Sequence, residues 1–155
     1  IKNATGLYFK VVDSDDCLGR KALEKVLNLL EHKFSKFINE KLQETSLSQS
    51  VIPGSGPRHM IFSHDGKYCY LVNEIANSIM VYQYEDGHFT LIQVIHCVPR
   101  HFHGFSSAAA IHMTSSGKHI IVSNRGHDSI VLYRVNQETG KITLLYMVHT
   151  GKRTS

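Results

Sequence analysis

The chain has 155 residues, 42% of them hydrophobic and 19% charged, with a formal net charge of +4. This ordinary globular composition excludes a disordered chain, and no apolar run approaches the ~18 residues that a membrane-spanning helix needs. The positive charge is spread thinly with no run of basic residues, so neither nucleic acid nor a membrane is an expected partner.

Ile1 opens no sequence of the charged, apolar and small-residue kind that marks a secretory signal, so a reducing, cytoplasmic setting is the expectation. Cys17, Cys69 and Cys97 are odd in number and irregularly spaced, which fits isolated thiols better than a disulfide framework. Asn3-Ala4-Thr5 has the form of a glycosylation acceptor, read as coincidence.

Residues 1–33 differ in pattern from the rest of the chain and are read as a separate segment that is not blade-like. Leu7 to Val12 is a candidate strand, and Ser14, Asp15 and Asp16 supply oxygens that can cap a helix start. Leu18, Ala22, Leu23, Val26, Leu27 and Leu30 recur at helical spacing, predicting an amphipathic helix from Leu18 to about His32. Its apolar stripe suits packing on the rest of the chain or on a partner. From Phe34 to Ser50 two patterns compete. Phe34, Phe37, Ile38 and Leu42 continue the helical stripe, whereas KFINEKLQETSLSQSVI also lines up loosely with the later VYQYEDGHFTLIQVI, as the outer strands of a preceding unit would.

Val51 to Arg58 is a Pro- and Gly-punctuated turn. Beyond it the chain repeats, Pro57 to Val94 and Ala108 to Met147, at an offset of 51 residues. Gly66, Lys67, Asn73, Ser78, Ile79 and Tyr82 recur as Gly117, Lys118, Asn124, Ser129, Ile130 and Tyr133. In the first copy His59 to Ser63 predicts a short inner strand, and His64-Asp65-Gly66-Lys67 a hairpin turn whose Asp-Gly supplies positive φ. Tyr68 to Asn73, Ser78 to Tyr84 and Phe89 to Ile95 follow as strands. The second copy repeats the turn at 115–118 and the strands at Ile120 to Ser123, Ile130 to Val135 and Ile142 to Val148. A period of roughly 40 to 50 residues with about four strands per unit marks a β-propeller blade. The fold class expected is therefore mainly β, with about two to two-and-a-half four-stranded antiparallel blades over residues 34–155, preceded by the helix.

Between the copies lies His96-Cys-Val-Pro-Arg-His-Phe-His-Gly-Phe-Ser-Ser107, a loop at strand ends where binding residues often sit. His101 and His103 stand in an H-x-H arrangement, but spacing supplies no third or fourth ligand, so no metal is expected. Ser106 and Ser107 lack the G-x-S-x-G elbow of a serine nucleophile.

GSGPRHMIFSHDGKYCYLVNE at 54–74, AAAIHMTSSGKHIIVSNRGHDSIVLYRV at 108–135 and TGK at 150–152 resemble the lactonase family of seven-bladed β-propellers, which includes propeller-type 6-phosphogluconolactonases and a fungal carboxy-cis,cis-muconate cyclase. The resemblance runs from about Phe34 to Lys152. It implies a lactone hydrolase that opens a phosphorylated sugar lactone, 6-phosphoglucono-lactone, in the pentose phosphate pathway without a cofactor. Cyclase activity, or a non-catalytic interaction module, is the alternative. The residues that match its motifs are Arg58 and His59 in GPRH, Glu74 in VNE, His112 in AAAIH, and Arg125 and His127 in SNRGH. Where the family often has an acidic residue just before the Ile-His pair, this chain has Ala110.

Ester hydrolysis needs a base to activate water and a donor for the developing oxyanion. His59 or His112 suits the first role, with Glu74 orienting it or acting itself. Arg125 or Arg58 suits the second, or holds a phosphate through its forked guanidinium, and Arg58 and His127 are the substrate-binding candidates that the resemblance implies. Structural roles compete at each position: Glu74 and Arg125 occupy the same place in the two repeats and could form an inter-blade ion pair, and His112 sits among apolar residues. A closed propeller takes at least about four blades. Two and a half blades imply a fragment or one piece of a larger ring, with self-association through open blade edges as a possible consequence.

Overall fold

A computed structural model describes residues 49–151. The expected helix from Leu18 to His32, the ambiguous segment from Phe34 and the end of TGK at Lys152 lie outside the described residues. Eight strands fill the described part: β1 (Pro57–Phe62), β2 (Tyr68–Asn73), β3 (Ser78–Glu85), β4 (His88–His96), β5 (Ser107–Met113), β6 (His119–Arg125), β7 (Ser129–Val135) and β8 (Ile142–His149). They form two four-stranded antiparallel sheets ordered β1-β2-β3-β4 and β5-β6-β7-β8. Each is a propeller blade.

The repeated turn residues explain the repeated hairpins. Gly66 and Gly117 both have positive φ, at 73° and 70°, a region open to glycine because it has no Cβ. The Gly66 amide donates to Ser63 O at 2.9 Å and the Gly117 amide to Thr114 O at 2.8 Å, so both turns close alike. Between β3 and β4, Asp86 and Gly87 have φ of 46° and 87°, the two consecutive positive angles of a type I′ hairpin. At the other rim, Asn77 and Asp128 take the left-handed conformation that Asn and Asp tolerate best. Their carbonyls accept from Cys97 N at 2.7 Å and Thr150 N at 2.8 Å, tying the end of each outer strand to the β2–β3 or β6–β7 turn.

Strand alternation then sorts the side chains. Tyr70, Val72, Ile79 and Val81 of the first sheet pack against Ile111, Ile120, Val122, Val131, Tyr133 and Ile142 of the second in one apolar layer. Cys69, Leu71, Met80 and Tyr82 line the opposite face of the first sheet, with Val51, Met60, Phe62 and Phe89 against them. On the second sheet, Ile121, Ile130, Leu132 and Val148 hold the register positions that Tyr70, Ile79, Val81 and Ile95 hold on the first. The first sheet's set is covered by the second sheet, whereas Ile121, Ile130 and Val148 are exposed. Cys69 and Cys97 are free and buried, and burial pushes each thiol up to about 12, which leaves them unreactive protonated apolar groups.

The asymmetry between equivalent positions is measurable. Ile79→Ala should lower unfolding free energy by about 2–5 kcal/mol, as deletion of a buried aliphatic side chain does, and Ile130→Ala by roughly 0.5 kcal/mol. Urea unfolding of the two variants against the parent chain reads the difference directly.

Candidate functional site at the Arg58–Glu74–Arg125 rim

The ends of β2 and β6 and the starts of β1 and β5 meet at one rim. Glu74 follows β2, and its backbone is held on both sides: its amide donates to Gly56 O at 2.6 Å, and its carbonyl accepts from Ala108 N at 3.2 Å. The β2–β3 turn is thereby stitched to the first residues of β5. Arg125 ends β6 directly opposite Ser107 at the start of β5. Arg58 lies in a register shift of β1 between Pro57 and His59, a bulge of the kind that re-aims a side chain.

These placements converge on one carboxylate. Arg58 Nη1 donates to Glu74 Oε2 at 2.7 Å, and Arg125 Nη2 pairs with Glu74 Oε1. Ser107 joins them: its hydroxyl donates to Glu74 Oε1 at 3.2 Å and accepts from Arg125 Nη2 at 2.8 Å. The hydrogen bond from Arg58 leads the effects holding the Glu74 carboxyl below its ordinary range. Partial burial opposes it, while the Arg58 charge, the Ser107 hydroxyl and the Arg125 charge assist it. Glu74 is therefore an ionised acceptor held between two guanidiniums, and the cluster carries one net positive charge. Side-chain exposures of 24% for Glu74 and 54% for Arg125 place it at the surface and within reach of a small molecule.

The other sequence-predicted residues separate from one another. His59 is exposed on β1, next to Arg58 in the chain and opposite Val72. His112 is exposed near the far end of β5, opposite Ile121, so the two share the open face of the second sheet. Five residues separate it from Ser107, roughly 16 Å along an extended strand. Neither imidazole has a hydrogen bond to Glu74 among the described residues. The carboxylate orients arginines rather than a histidine base.

His127 is a packed residue at the same rim, 7% exposed. Its Nδ1 lies 2.7 Å from Ser129 Oγ, and its ring meets Phe102 edge-on at 4.5 Å and His149 at 4.7 Å. His149 Nδ1 lies 3.2 Å from the His127 carbonyl. Burial leads the effects that hold His127 below the usual imidazole range; His149 and His101 add to it and Asp128 opposes it. His101 and His103 are exposed, and among the described residues no group of three or more candidate ligands could hold a metal ion.

Ser107 is the member of the cluster that sequence reasoning set aside, because it was weighed only as a nucleophile. Its signal was its repeat position: the 51-residue offset places it at Gly56, the residue whose carbonyl receives the Glu74 amide.

The description of the family model that matches residues 32–154 is a lactonase with a seven-bladed β-propeller. The chain belongs to that lactonase family. Among curated relatives, a 6-phosphogluconolactonase of Bacillus subtilis is 40% identical over 105 residues, covering 66% of this chain and 30% of its own length. A solved structure from Pseudomonas aeruginosa, described as a periplasmic gluconolactonase, matches with a TM-score of 0.62 and 35% identity over 63% of this chain and 28% of the other. A Lactobacillus plantarum protein matches with a TM-score of 0.66 and 32% identity over 70% and 32% of the two chains. This chain thus spans about 30% of the length of the lactonase relatives it matches. Among the described residues, no helix is long and apolar enough to cross a membrane.

The packing of His127 fixes a sign for pH dependence. A histidine whose folded pKa is lowered contributes stability that is present above its unfolded pKa of about 6.5 and is lost as pH falls below that value, because the unfolded chain then binds the proton more readily. Glu74 acts in a separate window: its stabilisation is present above the unfolded carboxyl value of about 4.3 and is lost as pH falls through the lower folded value. Urea midpoints should therefore decline between about pH 7 and pH 5, and His127→Gln should flatten that decline while leaving the acid limb below about pH 4 in place.

Proposed function

We propose that this chain supplies the guanidinium–carboxylate part of a lactone hydrolase site that opens 6-phosphoglucono-lactone to 6-phosphogluconate, the ring-opening step of the pentose phosphate pathway. The observation that carries the reading is the convergence of Arg58, Glu74, Ser107 and Arg125, drawn from both blades, on one exposed rim. The relatives' descriptions as 6-phosphogluconolactonase and gluconolactonase support the substrate class.

In the reaction a water oxygen adds to the lactone carbonyl carbon, negative charge develops on the carbonyl oxygen, and the bond from that carbon to the ring oxygen breaks. The water loses a proton to a base, and the departing ring oxygen gains one to become a hydroxyl group. Arg125 presents the most exposed guanidinium of the cluster, with only Nη2 engaged among the described residues. Its other N–H groups are left to meet the oxyanion or the substrate phosphate. Glu74 and Ser107 hold Nη2 and so fix the plane of that guanidinium before substrate arrives, which lowers the reorganisation required in the transition state. Arg58 anchors the other carboxylate oxygen. His59, beside Arg58 on an inner strand, is the imidazole nearest the cluster in the chain and takes the role of base. His112 stands apart on the open face.

The test is lactone hydrolysis by the purified chain, corrected for spontaneous ring opening. Arg125→Ala should lower kcat/KM by about 100-fold, the effect of removing one oxyanion donor, whereas His112→Ala should stay within about twofold of the parent. Hydrolysis no faster than the spontaneous rate, in a sample with a cooperative unfolding transition, would overturn the reading.

A further inference from the structure

Phe105 is 81% exposed, the largest exposure among the described large hydrophobic residues. An exposed phenyl ring on a loose loop would mean little, since single exposed apolar residues are common. This one is on a segment pinned at three consecutive residues. Phe105 lies over Gly126, where an added Cβ would stand 3.1 Å from Phe105 Cδ1 and would also collide with the Phe105 carbonyl oxygen. Gly126 has φ of +86°, so the close approach and the backbone conformation both call for glycine there. The Ser106 carbonyl accepts from Asn77 Nδ2 at 2.8 Å, and the Ser107 hydroxyl is bonded to both Glu74 and Arg125. Phe102, three residues earlier, packs edge-on against His127 and anchors the preceding part of the loop.

The ring carried by this pinned backbone therefore stands beside the residue that follows Arg125, while Ile75, 65% exposed, follows Glu74 and lies against Gly56. Each charged member of the central pair has an exposed apolar side chain next to it. An aldonolactone has matching chemistry: a carbonyl and hydroxyl groups that want donors and acceptors, and a ring face of C–H bonds that can sit on the electron-rich face of an arene. Small-molecule sites combine apolar walls with a few fixed polar groups in this way.

We propose that Phe105 is a specificity-determining platform on which the C–H face of a sugar-lactone ring stacks beside the Arg125–Glu74 pair. This rests on the lactone hydrolase reading and adds the residue that selects a ring-shaped polyol substrate. Ile75, next to Glu74, is the second exposed apolar group of the rim.

Two measurements on the full chain test it: steady-state hydrolysis of 6-phosphoglucono-δ-lactone by the parent, Phe105→Ala and Phe105→Trp, and amide chemical shifts of the labelled chain titrated with sodium gluconate, a stable analogue of the product. The expected result is a KM about five- to tenfold higher in Phe105→Ala with kcat nearly unchanged, rescue by Phe105→Trp, and gluconate-induced shifts at Phe105 and Gly126. An active parent whose KM is unchanged in Phe105→Ala overturns the platform and leaves the hydrolase reading standing. An inactive but folded parent that shows the shifts, with their loss in Phe105→Ala, overturns the hydrolase reading and retains the platform as a sugar-acid site. Inactivity with no shifts at Phe105 or Gly126 overturns both.

Discussion

The apolar layer between the two sheets sets the distances on which the rim depends. Tyr70, Val72, Ile79 and Val81 meet Ile120, Val122, Val131 and Tyr133 with almost no exposure, and close packing of this kind leaves little freedom for one sheet to slide on the other. Polar ties at the margins reinforce the register. Gln93 exchanges two 2.8 Å hydrogen bonds with the backbone of Ile142, Tyr133 OH donates to His96 O at 3.1 Å, and Asn124 donates to Cys97 O at 2.8 Å. Only with the sheets fixed in this way can Glu74 of the first blade and Arg125 of the second share Ser107.

That constraint changes what Glu74 can do. A carboxylate alone at a strand end would be an ordinary exposed acid, available as a base. Held by two guanidiniums and a hydroxyl, it is stabilised in its ionised form and its lone pairs are largely committed, so its contribution is to aim arginine nitrogens. An exposed ion pair adds little to stability in general. In this one, Arg125 keeps more than half of its side chain open to solvent while one nitrogen is fixed. Charge is therefore presented rather than neutralised.

Much of the fold was legible because two local signals recur in both copies: glycine with positive φ at the hairpin turns, and an apolar strand that ends in Asn, Tyr68–Asn73 buried on both faces in the first and His119–Asn124 alternating in the second. The rim pairing of Glu74 with Arg125 was also legible, since equivalent positions in stacked blades must emerge at the same edge. The places that resisted reading are those where a bulge breaks the period of two. The β1 register shifts between Pro57 and His59, and the β5 register shifts between Ala108 and Ile111. Each shift exchanges which residues face which side. Counting from a motif gathers His59, Glu74, His112 and Arg125 around one pocket, whereas the folded strands bring Glu74 and Arg125 together and send His112 to the open face. Ser107 was hidden for another reason: its role is to bond two charged groups, and no motif marks such a hydroxyl.

The two blades differ at the charged rim and agree at the buried strand ends. Asn73 and Asn124, Ser78 and Ser129, Tyr82 and Tyr133 are buried pairs at matched positions, and both asparagines donate to their paired serines, at 3.2 and 3.1 Å. At the rim the same offset turns Gly56 into Ser107, Arg58 into Ala109, His59 into Ala110 and Glu74 into Arg125. A repeated scaffold needs the first set in every copy, because each Asn amide donates to the Ser hydroxyl across its turn. The second set diverges, and identical rims would place like charge against like charge. The acid of the first blade and the base of the second, with Arg58 beside them, make the rim of an otherwise apolar interface polar, positively charged and asymmetric.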